Sequence, residues 1–246
     1  MSFIIKNPCL IHFAGRKKYN PLFQQTLAVP VCSEQVDSSI FDIVTWNQCD
    51  NIKYCTYKNL GLFEEYCSKL GFNCHVLSDK SIKWDTNRRK ILLTLEFLKF
   101  SKKEFILAAD SSDVLMFDLP NANVLQDTNC DMLFNAEKLF WPHSGLDDIK
   151  KGEEEIESGF FRYLNSGLWI AKKEYAIEVF EKLSQMMDSY MEFYKSDQVL
   201  FKALYLKEYP KMKIDSKCNV FVNLSHVEKN EVILKFKSLN PKIGLL

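Results

Sequence analysis

Apolar runs of strand length alternate with amphipathic helical patterns along this chain, and that alternation restricts its fold more than any other feature. The runs are Cys9–Phe13, Ile40–Trp46, Asn73–Leu77, Glu104–Ala109, Asp131–Asn135, Tyr163–Ala171 and Asn219–Val222, and they read as buried strands. Between them, "KNLGLFEEYCSKLG" puts Leu60, Phe63, Cys67 and Leu70 on one stripe and ends at Gly71, a helix stop. "DTNRRKILLTLEFLKF" opens on an Asp/Thr cap signal and carries Ile91, Leu92, Leu95 and Leu98 on one face. "EYAIEVFEKLSQMMDSYMEFY" predicts one long helix, followed by a second in "SDQVLFKALYLKE" with Ser196 as its cap. "HSGLDDIKKGEEEIESG" reads as a polar loop of the size that covers a site. Strands alternating with helices predict an α/β fold, a Rossmann-type, mostly parallel sheet flanked by helices. A single domain over 1–246 is expected, with a segment 1–39 ahead of a core at 40–236.

Composition removes several function classes. Thirty-two basic residues balance thirty-two acidic ones, so no overall field favours nucleic acid or an anionic membrane. Lys outnumbers Arg 28 to 4, which disfavours an Arg-based phosphate reader. The chain has only eight glycines, at 15, 61, 71, 145, 152, 159, 167 and 244, and no two form GxG. The GxGxxG fingerprint and the P-loop are therefore absent, and any nucleotide must be held by another device. The eight cysteines contain no CxxC, which reads as reduced structural thiols in a cytoplasmic protein. "MSFIIKNPCLIHFAG" is too broken for a signal peptide, and no window approaches the roughly 18 apolar residues of a membrane span.

The segment "KKEFILAADSSDVLMFDL" carries the clearest chemical signal: an apolar strand ends in Asp110, Ser111, Ser112 and Asp113. Ligands of open α/β sheets gather at the carboxyl ends of strands. Two carboxylates there can hold Mg²⁺ or Mn²⁺ and leave positions open for a diphosphate. A cation would then neutralise the phosphates in place of a glycine-rich nest. The same pattern also suits a turn whose Asp side chains cap a helix. Downstream follow "DMLFNAEKLFWP", with a strand ending near Glu137 and then Trp141; "RYLNSGLWIAKKE", with Asn165, Ser166 and Gly167; and Asp197 in "SDQVLFKALYL".

In this order, "ADSSD", "FNAEKLFWP", "YLNSG" and "KSDQVLFKALYL", the chain resembles the GT-A-fold glycosyltransferase domain of the collagen lysyl hydroxylase/glucosyltransferase enzymes. The resemblance spans roughly residues 40 to 236. It implies that Asp110 and Asp113 are metal ligands, that Lys90 lies on the nucleotide side, and that Thr45 meets the nucleoside. It also implies that Asn165, Ser166, Gly167 and Asp197 lie near the donor sugar and the acceptor, with Trp141 offering a face to a sugar ring. Without the resemblance, Trp141 also suits a core, Thr45 a strand end, Lys90 a solvated helix face and Gly167 close packing. Ser112 departs from the family, which often has an aromatic residue there.

The family completes its metal site with a histidine from a later segment, written HxxGxxK in the glycogenin branch. "VILKFKSLNPKIGLL" has no such pattern, and His226 in "NLSHVEKN" lacks the spacing. His12, Gly15 and Lys18 supply it directly after the first apolar run. Imidazole suits Mn²⁺, glycine lets backbone approach phosphate, and the lysine neutralises a leaving diphosphate. The expectation is a circularly permuted glycosyltransferase whose last motif stands first, with His12 beside Asp110 and Asp113. His75 and His143 read as strand and loop residues. The implied reaction moves a hexose from UDP-glucose or UDP-galactose, with Mn²⁺ or Mg²⁺, to a glycan, glycolipid or protein hydroxyl. Asp197 would orient the acceptor or take its proton. An inactive sugar-nucleotide or glycan-binding module of the same fold, or a metal-dependent nucleotidyltransferase, are the alternative readings.

Overall fold

The computed structural model of the protein describes residues 2–14, 22–27, 29, 38–47, 61–78 and 86–236. The strands are β1 (Phe3–Lys6), β2 (Leu10–His12), β3 (Phe41–Trp46), β4 (Cys74–Leu77), β5 (Phe105–Asp110), β6 (Val114–Met116), β7 (Met132–Glu137), β8 (Tyr163–Lys172), β9 (Met212–Ile214), β10 (Phe221–Asn223) and β11 (Val232–Lys235). The helices are α1 (Phe23–Leu27), α2 (Leu62–Lys69), α3 (Arg89–Phe100), α4 (Asn123–Asp127), α5 (Asp147–Ile156), α6 (Lys173–Gln185) and α7 (Gln198–Glu208). Each apolar run of the sequence contains a strand. The short strands β1, β6, β9 and β11 lie outside those runs.

A six-stranded sheet in the order β4-β3-β5-β8-β7-β9 forms the centre. Its pairs are parallel except where β8 runs against β5 and β7. β3 and β7 are buried along their whole length, as strands covered on both faces should be. Trp169 of β8, fully buried, packs its ring on Phe180 at 5.4 Å, Trp46 at 6.4 Å and Phe134 at 6.5 Å between centroids. Because β8 is reversed, its first half lies beside the carboxyl ends of β5 and β7. The β7–β8 register jumps from Phe134↔Trp169 to Asn135↔Asn165, so Ser166, Gly167 and Leu168 are skipped by β7. A smaller sheet, β10-β2-β6, sets β2 parallel to β10 and antiparallel to β6. β1 lies parallel to β11.

Four expectations need correction. The polar stretch expected as a loop contains α5, which buries Ile149 and Glu153 and carries its acidic residues Asp147 and Asp148 in the first turn, where the helix dipole favours them. Its Gly152 lets α5 approach α7, since a Cβ there would stand 2.8 Å from Leu206 Cδ1. The long helix expected after Lys173 ends at Gln185, and Tyr190 turns left-handed at φ 55°. Arg88 takes the carbonyls freed there: its guanidinium donates to Met187, to Ser189 at 3.0 Å and to Tyr190 at 2.8 Å. On α3, Leu92 faces solvent while Lys90, Ile91, Thr94 and Leu98 face inward. Ser196 does not cap α7: its hydroxyl makes no hydrogen bond, and Asp197 holds the cap position. Gly71 does end α2 with φ +77°. Among the described cysteines, Cys67, Cys74, Cys130 and Cys218 are free thiols. Among the described residues no helix is long and apolar enough to cross a membrane.

Candidate metal and nucleotide-sugar site

The apolar strand β5 delivers Asp110 to the carboxyl end of the sheet, opposite Trp46 of β3. The chain then turns through Ser111–Asp113 into β6. That turn is pinned from α2: the Ser111 hydroxyl bonds the Glu64 carboxylate at 2.7 Å, and the Phe63 amide donates to the Ser111 carbonyl at 2.9 Å. Asn47 donates to the same carboxylate at 2.8 Å. Gly61 is required by this docking, because a Cβ there would fall 1.7 Å from Ser111 Oγ.

β2 brings the third candidate ligand. Its antiparallel register with β6 pairs His12 with Val114, and the Phe13 amide donates to the Asp113 carbonyl at 2.9 Å. His12 Nε2 thus stands 3.4 Å from Asp113 Oδ1 and 3.8 Å from Asp110 Oδ2. One potential ligand atom from each of His12, Asp110 and Asp113 lies within 4.8 Å of the others. His12 is 2% exposed and its Nε2 makes no hydrogen bond. Burial works against a charged ring, yet the carboxylates of Asp113, Asp110 and Glu137 outweigh it and raise the imidazole pKa.

Gly167 clears the space these groups need. A Cβ there would lie 2.4 Å from His12 Cε1 and 2.6 Å from Asp110 Oδ2. On the far side of the ring, the Asn135 carboxamide sits 3.1 Å from His12 Nδ1 while its Oδ1 makes no hydrogen bond. Turning that amide over satisfies the oxygen with Nδ1–H and leaves the Nε2 lone pair facing the aspartates. A nitrogen and two carboxylates, a cleared space and an unbonded buried Nε2 fit a Mn²⁺ or Mg²⁺ ion.

A cavity of about 550 Å³ opens over this cluster. Lys90 enters its wall buried and bonds Asp110, with the ammonium 5.1 Å from the Trp46 ring. Burial disfavours that charge, but Asp110, Asp197 and Asp113 more than restore it, so Lys90 holds its proton more tightly than an ordinary lysine. Asp197, 4% exposed, accepts from the Ser166 hydroxyl at 3.3 Å. Its carboxyl pKa is raised by burial, with the pull of Lys90 opposing. Asn165, Ser166, Gly167, Asp197 and Trp141 all line the cavity, and Trp141 is 45% exposed there rather than part of the core.

Thr45 is placed elsewhere. It is fully buried, its hydroxyl donates to the Ala109 carbonyl at 2.7 Å, and it is not among the described residues of the cavity wall. That bond ties β3 to β5 at the carboxyl end of the sheet. Gly15 and Lys18 lie outside the described residues. His75 is a β4 residue bonded to Asp42 at 3.1 Å, and His143 is a loop residue that also reaches the cavity rim beside His226.

The wall includes two side chains that sequence reasoning left without a role. Glu137, 5% exposed, accepts from Gln198 Nε2 at 2.6 Å and Asn165 Nδ2 at 3.1 Å. Burial pushes its pKa up to about 7 against the pull of Lys202 and these donors. The signal for Glu137 was its place at the end of an apolar strand, as for Asp110. Gln198 stood next to Asp197 in the same motif.

Over residues 61–244 the chain matches the protein family described as PLOD GT domain. No curated protein matches it. A solved structure of a glycosyltransferase involved in the glycosylation of the major capsid of PBCV-1 is similar over 72% of this chain and 81% of that one, with 17% identity and a TM-score of 0.49.

Proposed function

The chain belongs to the PLOD GT domain family of glycosyltransferases, and from that premise we propose that it transfers a hexose from UDP-glucose or UDP-galactose to a hydroxyl acceptor with the help of a divalent cation. The observation that carries this reading is the convergence of His12 on Asp110 and Asp113. The acceptor hydroxyl belongs to a glycan, a glycolipid or a protein.

His12, Asp110 and Asp113 would hold Mn²⁺ or Mg²⁺, which would supply positive charge against a diphosphate and Lewis acidity for a departing UDP. Lys90, bonded to Asp110, keeps that carboxylate oriented and adds positive charge on the nucleotide side. Lys18 stabilises the charge that builds on the diphosphate, and Gly15 lets the backbone approach it. Asn165 and Ser166 border the sugar. Gly167 keeps their strand clear of the ligands, and the exposed face of Trp141 meets a sugar ring. Asp197 orients the acceptor hydroxyl or accepts its proton, consistent with its place in the wall and its raised pKa.

The same reading includes a circular permutation within one domain over 1–246. It is supported by β2, which carries His12, lying between β10 and β6, and by β1 running beside β11. Purified protein incubated with UDP-sugars and Mn²⁺ tests the activity through UDP release. Asp113→Ala should lower metal-dependent turnover by about a hundredfold or more, and unchanged turnover in that variant would sink the assignment.

A further inference from the structure

Behind the cavity wall lies a buried charge cluster that metal and nucleotide binding do not use. Lys202 of α7 is fully buried, and its ammonium meets Glu153 of α5 at 2.9 and 3.2 Å. Glu153 is fully buried too and accepts the Leu164 amide at 2.8 Å. The rings of Phe140 and Tyr163 lie 4.7 and 5.6 Å from the ammonium. A pair so completely removed from water is a poor device for stability, since well-packed apolar residues of the same volume serve as well or better. Its placement therefore calls for a use of the charge.

The use is visible on the other side of Lys202. Glu137 Oε1 lies 3.8 Å from its ammonium. The remaining neighbours of the Glu137 carboxyl, Gln198 Nε2 and Asn165 Nδ2, are also donors. Each approaches as a partner for a carboxylate and not for a carboxylic acid. Glu153 and Glu137 share one ammonium, so the cluster carries one surplus negative charge. Glu137 is its only member that reaches the cavity. The charged groups that face Glu137 are Lys202 from α7, Glu153 from α5 and, at longer range, His12 from β2.

We propose that Lys202, braced by Glu153, is a positioning residue that holds Glu137 ionised and oriented to accept a hydrogen bond from a sugar hydroxyl in the cavity. The proposal rests on the glycosyltransferase reading above. Glu137 touches substrate, Lys202 and Glu153 act through it, and Gln198 and Asn165 fix its plane. Gln198 also donates to the Trp141 carbonyl at 3.3 Å, which ties the carboxylate to the loop that carries the sugar-facing indole.

The pH dependence follows from the same geometry. Glu137 ionises at about 7 with Lys202 in place, so turnover should fall as the pH drops through that value. Removing the cation raises the carboxyl pKa, and removing the competing anion Glu153 lowers it.

The experiment uses the full chain with Mn²⁺ and UDP-glucose or UDP-galactose, following kcat, KM and the pH profile beside calorimetric binding of UDP. The double variant Lys202→Met/Glu153→Gln replaces the pair by neutral groups, so Glu137 is left as the one ionisable group of the cluster. It should bind UDP within about twofold of wild type, move the acid limb upward by about one unit and so lose about fivefold in kcat at neutral pH. Glu153→Gln alone should move the limb downward, which gives a second reading should the double variant not fold. Glu137→Gln should abolish the limb and make it insensitive to either change. A limb unmoved in the folded variants, or moved equally in the Glu137→Gln background, would overturn the proposal. Loss of UDP binding and turnover in the wild-type protein would instead count against the glycosyltransferase reading itself.

Discussion

Gly167 shows how much chemistry one absent side chain can permit. Two elements converge on it, β2 with His12 and β5 with Asp110, and a Cβ would collide with both. Gly167→Ala should leave the fold cooperative yet weaken Mn²⁺ binding by about tenfold or more, since separating ligands by a fraction of an ångström spoils a donor set more than it spoils a core. Isothermal titration with Mn²⁺ beside a urea melt separates the two effects. At this scale the sequence was readable where a polar residue interrupts an apolar run. Asp110 closes β5, Asp113 follows it, and His12 interrupts the first run. Thr45 stands at such a position too, but its hydroxyl is spent on Ala109, and a strand-end residue carries no sign of which way its side chain bonds. Glu137 was legible as a strand end and still went without a role. Its partners Lys202 and Glu153 lie 65 and 16 residues further along the chain, and only the packing of α5 and α7 joins them.

The elements that hold the site depend on a few buried polar residues. Asp215, 3% exposed, accepts the amides of Asn219, Val220 and Phe221 at 2.9, 2.7 and 2.9 Å. These bonds set the start of β10, which pairs with β2 and so carries His12. Asp215→Ala should therefore cost about 2–3 kcal/mol, from stranded amides, and weaken metal binding in step. Denaturant melts read the first, and equal stability of the variant would contradict the capping role. Arg88 acts similarly on the break after α6 by satisfying three carbonyls. Such breaks were invisible in the sequence because the periodicity of "EYAIEVFEKLSQMMDSYMEFY" continues through them. The arginine that ends the helix lies on another element. α5 was hidden for the opposite reason: with Gly152 at its centre and mostly charged residues around it, its apolar stripe is too narrow to register as a period.

For the molecule as a whole, the order of strands and helices was legible because buried strands require apolar runs whatever their partners. The antiparallel β8 and the register jump at Ser166–Leu168 were not, since run composition does not encode direction. With β2 inserted between β10 and β6, His12 faces Asp110 at the end of β5 in the larger sheet and Asp113 in the turn that leads into β6. The most direct test is Mn²⁺ titration of the wild-type protein and of His12→Ala, each with UDP present. The account predicts binding of about one ion per chain that requires the imidazole, weakened about tenfold or more when it is removed. Equal Mn²⁺ affinity in the two proteins would contradict it.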